Sequence, residues 1–223
     1  MLANNRLEHI LKYETEAKNQ GFRFILGVDE AGRGPLAGPV VAAAVCLKNS
    51  DFTCRIDDSK KLTPLARQRA FLEIQERAYV GIGLISEVGI DQINILNATF
   101  YAMEMAVLRM ITQIQKDFVM DGLIPQIKIL VDGNSFKTQL PYKYQTIVGG
   151  DAASLSIACA SIIAKTYRDR LMEHFDQIYP QYGFKGHKGY PTVSHKKAII
   201  EFGPSMIHRR SFQACLPARQ GVL

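Results

Sequence analysis

No stretch of the 223 residues approaches the roughly 20 consecutive apolar positions needed to span a bilayer. The longest, Val40 to Leu47, is eight residues, the length of a buried strand. The opening MLANNRLEHILKYE lacks the uninterrupted apolar core of a secretory signal, so a cytoplasmic location is the expectation. Cysteine is scarce. Cys46, Cys54, Cys159 and Cys215 form no CxxC pair, which argues against a zinc ribbon or a thioredoxin-like dithiol, and they are too sparse for a disulfide framework. Cys46 and Cys159 lie in apolar runs and read as small core residues. The five histidines (His9, His174, His187, His195 and His208) show no HExxH or other metal spacing. They read as surface or core-edge residues, with His187 and His208 expected nearest a substrate. The EF-hand pattern is missing, and there is no internal repeat or low-complexity linker.

What remains is an ordinary globular composition. Apolar residues are 47% and charged residues 22%, which excludes wholesale disorder, collagen and coiled coil. The length suits one large domain, or one domain with an appendage. The net charge of +6 is unevenly placed. From Gln181 onward, Lys185, Lys188, Lys196, Lys197, Arg209, Arg210 and Arg219 stand against one acid, Glu201, so this end carries the whole excess. A basic end on a balanced body points to a polyanionic partner.

Along the chain, residues 4–20 place Leu7, Ile10, Leu11 and Tyr13 at helical spacing and predict a short amphipathic helix. Strands are expected over Arg23 to Val28, Val40 to Leu47, Tyr79 to Ser86, Ile127 to Val131 and Tyr144 to Val148, the first two as hairpin neighbours. Thr63-Pro64 reads as an N-cap followed by proline at the first helical position. A helix is expected from Asp91 to about Lys116, on Ile95, Thr99, Met103, Val107 and Ile111. Asp151 is expected to start a long helix running to about Ile178, and a short helix follows near His195 to Phe202. The pattern is a mixed α/β domain with strands first joined by hairpins and then by a helical crossover. In such sheets ligands gather at the carboxyl ends of strands.

Asp29, Glu30, Asp132 and Asp151 share one feature: each stands where a strand or loop stops, beside small residues. Singly, each is an ordinary turn or cap residue. If the first and fourth strands are neighbours, three of these carboxylates meet at one edge of the sheet. Two charges 4 Å apart repel by roughly 4 kcal/mol at an effective dielectric near 20. Such a cluster must protonate, splay apart or recruit a cation. Oxygen donors favour hard ions, Mg²⁺ or Mn²⁺, and two ions about 3.5–4 Å apart suit phosphoryl transfer.

The segment GVDEAGRGPLAGPVVAAAV (Gly27 to Val45) resembles the opening motif of bacterial ribonuclease HII, the type 2 ribonuclease H family. The likeness continues in DDSKKLT (Asp57 to Thr63), VDGN (Val131 to Asn134), GGDAASLSIACASIIAKTYRD (Gly149 to Asp169), KGYPT (Lys188 to Thr192) and HRRSF (His208 to Phe212). These blocks follow the family's order over roughly residues 24–215. Cys159, where alanine is usual, and Thr166-Tyr167, where a valine-threonine pair is common, depart from its pattern and bear only on helix packing.

The resemblance implies an RNase H-like fold, a five-stranded mixed sheet with flanking helices and a C-terminal helical extension. The implied division is an N-terminal extension over 1–20, a catalytic domain over 21–178 and a basic substrate-binding extension over 179–223. The implied activity is cleavage of RNA in RNA–DNA hybrids and at ribonucleotides embedded in duplex DNA, leaving a 3′-hydroxyl and a 5′-phosphate. The family's metal-site carboxylates fall on Asp29, Glu30, Asp132 and Asp151, its Gly-Arg-Gly motif on Gly32, Arg33 and Gly34, and its substrate-reading tyrosine on Tyr190. Lys60, Lys61, Lys165, Arg168, Lys188, Arg209 and Arg210 are candidate contacts to backbone phosphates, which position a duplex without reading its sequence. Asn134, in the VDGN block, is a further substrate-side candidate. LPARQGVL carries no convincing sliding-clamp motif, and neither an obligate protein partner nor a membrane is inferred. The rival readings are a nucleic-acid-binding module without catalysis, in which the acids are idle, and a carboxylate-pair glycosidase, which leaves the basic end unexplained.

Overall fold

The computed structural model describes residues 10–118 and 126–212. The strands are β1 (Phe24–Ala31), β2 (Val40–Leu47), β3 (Ala78–Ile85), β4 (Ile127–Asp132) and β5 (Lys143–Ile147), in one sheet ordered β3-β2-β1-β4-β5. β1 pairs antiparallel with β2, and β2 with β3, while β1–β4 and β4–β5 are parallel. This is the expected five-stranded mixed sheet with flanking helices. The N-terminal helix appears as α1 (Lys12–Asn19). Leu7, His9, Cys215, Arg219 and the LPARQGVL end lie outside the described residues.

Strand periodicity divides the core. Phe24, Leu26 and Val28 of β1 join Ile127, Ile129 and Val131 of β4 on one face, packed under α3 (Glu87–Asp117). Ile25 of β1 and Leu130 of β4 face the other way, with Ile157 of α5 (Leu155–Ile178). Gly27 shares that second face, and a Cβ there would stand 2.1 Å from the backbone carbon of Ser156. Only glycine lets α5 lie directly on β1. α2 (Pro64–Arg77) packs beside α5, with Thr63 as the N-cap accepting the Ala66 N–H at 3.2 Å.

Two helices differ from expectation. α3 begins earlier, at Glu87, and is interrupted at Asn94, whose backbone lies at φ 65°, ψ 163°. The Asn94 side chain accepts the Asn97 N–H at 3.1 Å, so the residue that breaks the helix also caps its continuation. Apolar spacing runs through this break and does not reveal it. Asp151 lies not at the cap of the long helix but in the one-turn α4 (Gly150–Ala153). Ser154, extended at φ −136°, ψ 128°, separates α4 from α5 and accepts the Ile157 N–H at 3.3 Å. A serine three residues after the aspartate takes over the capping role.

The end of the described chain forms a 3₁₀ turn (Pro180–Tyr182), α6 (Phe184–His187) and α7 (Val193–Phe202). It packs through Tyr182, Phe184, Ala198 and Ile207 against Met172 of α5 and against Leu36 and Ala37 of the β1–β2 loop. Its attachment to that loop is also polar: the Leu36 carbonyl accepts the Arg209 N–H at 2.8 Å, and the Gly38 N–H donates to Ile207 at 2.8 Å. Two of the histidines expected at the surface or the core edge lie inside the fold. His195 and His208 are enclosed, at 0% and 1% exposure.

Glu14 of α1 is a buried acid that sequence reading passed over. Its Oε1 accepts the Ser154 hydroxyl at 2.6 Å, the Ser156 hydroxyl at 2.7 Å and the Ser156 N–H at 2.9 Å, while Oε2 is buried without a partner. One carboxylate oxygen from α1 therefore ties down the break between α4 and α5. Glu14→Ala is expected to cost roughly 2–4 kcal/mol in denaturant unfolding, because charge-assisted bonds are lost at a buried site. Glu14→Gln, which retains the accepting oxygen and the side-chain volume, should cost less; equal losses for the two would show that the negative charge, not the accepting oxygen, carries the stabilisation.

Candidate active site

β1 and β4 run in the same direction, with Val28 opposite Val131. The next register step brings Asp29 and Asp132 to the same end of the sheet, on the face that meets α5. Both acids fall inside the last residues of their strands rather than after them. Asp29 and Glu30 lie opposite Ala43 and Ala42 of β2, whose small side chains leave room beside the carboxylates. Glu30, one residue further, alternates to the opposite face of the sheet. Asp151 arrives from α4.

Three of the acids, Asp29, Glu30 and Asp132, line one cleft, while Asp151 is not among its lining residues and is linked to it through Lys60; the four lean on different donors. Asp29 Oδ1 accepts the Glu30 N–H at 2.7 Å, and Glu30 Oε1 accepts from Arg33 Nη1 at 3.2 Å. Asp132 Oδ1 accepts the Gly150 N–H at 2.7 Å, and Asp151 Oδ2 stands 3.9 Å from Lys60 Nζ. Among the described residues, no three Asp, Glu, His or Cys side chains are grouped so as to hold an ion.

The charges nevertheless feel one another. Burial, followed by repulsion from Glu30 and Asp132, holds the Asp29 carboxyl well above the usual carboxylate range. Burial also raises Glu30, against the Arg33 guanidinium, which pulls it down. Asp151 is raised by burial and by Asp58 and Asp132. Partial burial draws Lys60 down, but Asp58, Asp151, Asp29 and Asp132 outweigh it and leave the ammonium raised. A donor set of hard oxygens with unrelieved repulsion suits a hard divalent cation.

The cleft encloses about 360 Å³ and is lined by Asp29, Glu30, Asp132, Gly32, Arg33, Gly34, Ser59, Lys60, Ser161, Lys165 and Tyr190. Ser59 and Ser161 were missed by sequence reading. Their hydroxyls lie 2.9 Å apart, and the Ser161 hydroxyl opposes the rise at Asp29. Both sit inside blocks that carry the family resemblance, which was the available signal.

Gly-Arg-Gly and Tyr190 are neighbours. A methyl added at Gly34 would lie 3.6 Å from Tyr190 Cε1, and the tyrosine is 43% exposed. Beneath the loop lie two buried arginines. Arg209 donates to the carbonyls of Gly32 (2.6 Å), Arg33 (2.9 Å) and Gly38 (2.9 Å). Arg168 donates to those of Ala37 (3.0 Å), Pro39 (3.0 Å) and Lys188 (2.9 Å). Gly32 has φ +99°, and a Cβ there would stand 2.0 Å from Arg168 Nε. A trans peptide directs its N–H opposite to its carbonyl. The inward Gly32 and Arg33 carbonyls thus turn the Arg33 and Gly34 N–H groups away from Arg209.

This corrects the set of phosphate candidates. Arg168 and Arg209 are 1% and 0% exposed, so both guanidinium groups are spent on backbone carbonyls and neither is presented to a duplex. Lys188 pairs with Glu173 at 3.0 Å, and Lys165 with Asp169 at 2.6 Å, though Lys165 still borders the cleft. Lys60, Lys61, Asn134 and Arg210 are exposed.

The family model for Ribonuclease HII matches residues 26–215. A Ribonuclease HII of Geobacter sulfurreducens is 51% identical over 202 residues, covering 90% of this chain and 87% of that protein. One of Agrobacterium fabrum is 45% identical over 202 residues, covering the same shares. The crystal structure of ribonuclease H2 from Pyrococcus horikoshii OT3 superposes with a TM-score of 0.64 at 25% identity, covering 86% of this chain and 95% of that one. Bst-RNase HIII in complex with Mn²⁺ shares the fold, with a TM-score of 0.60 at 17% identity over 89% of this chain and 70% of that one.

The arginine assignment separates neighbours in sequence. Arg209→Met leaves three buried carbonyls unpaired and is expected to cost roughly 3–5 kcal/mol in urea unfolding. Arg210→Met should stay within about 0.5 kcal/mol of the parent, because only its side chain changes and that side chain is exposed. A stable Arg209→Met protein would mean that the loop is held by something else.

Proposed function

The chain belongs to the ribonuclease HII family of type 2 ribonucleases H, and from that premise we propose that it hydrolyses the RNA strand of RNA–DNA hybrids and incises duplex DNA at embedded ribonucleotides, leaving a 3′-hydroxyl and a 5′-phosphate. The observation that carries this reading is the placement of crowded carboxylates and the Gly-Arg-Gly/Tyr190 surface around one cleft. The catalytic body is residues 21–178, and the basic extension from 179 onward completes the cleft by supplying Tyr190.

Asp29, Glu30, Asp132 and Asp151 would hold two Mn²⁺ or Mg²⁺ ions, with Asp29 and Asp132 the central pair. Bound there, such ions supply a nucleophile at neutral pH and stabilise the charge developing on the phosphate. The protein's own contribution is to hold the carboxylates ready. The Glu30 N–H orients Asp29, the Gly150 N–H orients Asp132, and Lys60 offsets part of the charge at Asp151. Distinguishing RNA from DNA requires contact with the 2′-hydroxyl. The Arg33 and Gly34 N–H groups, turned from the buried arginine, suit that contact. The Tyr190 ring beside them offers a flat face to the adjoining deoxyribose and so reads the RNA–DNA junction. Lys60, Lys61, Lys165, Asn134 and Arg210 border the path of the duplex and hold its backbone.

Asp29→Asn is expected to bring cutting of a hybrid, assayed with Mn²⁺ or Mg²⁺, to background while hybrid binding persists. In metal-free buffer this variant should melt above the parent, because it removes a charge whose burial and neighbours oppose ionisation. Added Mn²⁺ should raise the parent's melting temperature more than the variant's. Near-parental cutting by Asp29→Asn would sink the metal-site assignment. Tyr190→Ala should weaken incision at a single embedded ribonucleotide more than it weakens duplex binding; equal losses would reduce Tyr190 to an ordinary contact.

A further inference from the structure

Three histidines are gathered under the loop that carries Tyr190. His187 and His195 stack with centroids 4.3 Å apart and planes 17° from parallel, and the His208 ring lies 5.2 Å from that of His195. Phe184 contacts all three rings, and Tyr182 adds a wall beside His208. From the packed elements, Arg168 of α5 reaches the Lys188 carbonyl, Lys188 pairs with Glu173, and Arg209 follows His208 in the chain.

Their hydrogen bonds settle which nitrogen carries each proton. A carbonyl only accepts, so His195 Nδ1, 2.9 Å from the Tyr190 oxygen, is protonated. In neutral His195 the Nε2 then accepts, and its partner at 3.0 Å, His208 Nε2, is the donor. His208 Nδ1 is left to accept, and it meets the Ser205 N–H at 2.9 Å and the Ser205 hydroxyl at 2.8 Å. His187 Nε2 donates to the Tyr182 carbonyl at 2.8 Å, and its Nδ1 accepts the Gly189 N–H at 3.1 Å. Every ring nitrogen is matched only when all three rings are neutral. Burial lowers His195 and brings His208 down to about 4, favouring the neutral form of those two rings.

The segment held this way is strained. Lys188 and Gly189 have φ of 52° and 84°, and such a turn persists where its surroundings over-determine it. The His187 ring takes the Gly189 N–H, the His187 carbonyl takes the Tyr190 N–H at 2.9 Å, and Leu36 donates to the Gly189 carbonyl at 2.8 Å. His195 supplies the side-chain hold on the Tyr190 carbonyl.

We propose that His195 is a positioning residue for Tyr190, with His187 and His208 fixing its plane and tautomer so that the tyrosine ring is presented beside Gly34. This rests on the junction-reading role given to Tyr190 above. The role belongs to specificity: misplacing the ring penalises substrates with a single RNA–DNA junction more than long hybrids.

Two substitutions separate positioning from packing. In His195→Asn an amide N–H replaces Nδ1 and keeps the bond to Tyr190. In His195→Gln the polar end reaches toward His208 and the side-chain donor to the Tyr190 carbonyl is withdrawn, leaving that oxygen only the Thr192 N–H at 2.8 Å. The measurement is kcat/KM with Mn²⁺ on duplex DNA bearing one ribonucleotide, divided by kcat/KM on a long RNA–DNA hybrid. His195→Gln should lower this ratio about tenfold, His195→Asn should hold it within about twofold, and Tyr190→Ala/His195→Gln should be no worse than Tyr190→Ala. If His195→Gln keeps the parental ratio while Tyr190→Ala collapses it, the positioning role is wrong and junction reading stands. If Tyr190→Ala keeps the ratio, junction reading fails and this role fails with it. Should the variants not fold, ¹⁵N NMR of the parent's imidazoles decides: the Nδ1–H tautomer at His195 with Nε2–H at His187 and His208 supports the assignment, and an Nε2–H tautomer at His195 overturns it.

Discussion

Val28 lies opposite Val131 in two strands that run the same way, and the following residue of each is an aspartate. Parallel pairing carries both acids to one end of the sheet on one face, where antiparallel pairing would send them to opposite ends. The crossover through α3, the enclosure of β4 between β1 and β5 and the close seating of α5 on Gly27 all maintain that register. The cleft, the electrostatic strain and the demand for a cation follow from it.

That strain is carried where a structure built for stability alone would avoid it. An ionised Asp29 is opposed first by burial and then by Glu30 and Asp132. Asp29 and Asp132 each accept a backbone N–H, Glu30 pairs with Arg33 and Asp151 lies near Lys60, which orders the cluster without removing the repulsion at Asp29. A site of this kind is less stable when empty and gains on binding a cation, so the cost is recovered in the working state.

Around the acids, buried polar groups act as fasteners. Arg168 and Arg209 together engage six backbone carbonyls, five of them in the loop from Gly32 to Pro39, and His187 and His195 grip the turn at Gly189 and Tyr190, with His208 behind His195. A charge-bearing fork or a ring with two nitrogens costs much to bury, and that cost is met only in one arrangement of the chain. Irregular segments joined by such groups have few alternatives. The Gly32–Pro39 loop and the turn that carries Tyr190 are built in this way.

Strand positions, the Thr63 cap, the buried cysteines and the meeting of Asp29, Glu30 and Asp132 at one cleft were legible in the chain, because they follow from local alternation, cap chemistry and interrupted apolar runs. The break at Asn94 was not, since apolar residues continue in phase across it, and the shift of the helix start from Asp151 to Ser154 was hidden by two good capping residues close together. Arg168 and Arg209 read as surface cations because charge alone says nothing about which carbonyls will surround it. His195 and His208 read as edge residues because their partners are residues 190 and 205, brought into contact only by the turn between them. Sequence by itself determined what alternates, what caps and which groups are charged. Tertiary structure alone decided which of those charges face solvent and which are enclosed, because enclosure depends on partners that lie far away along the chain.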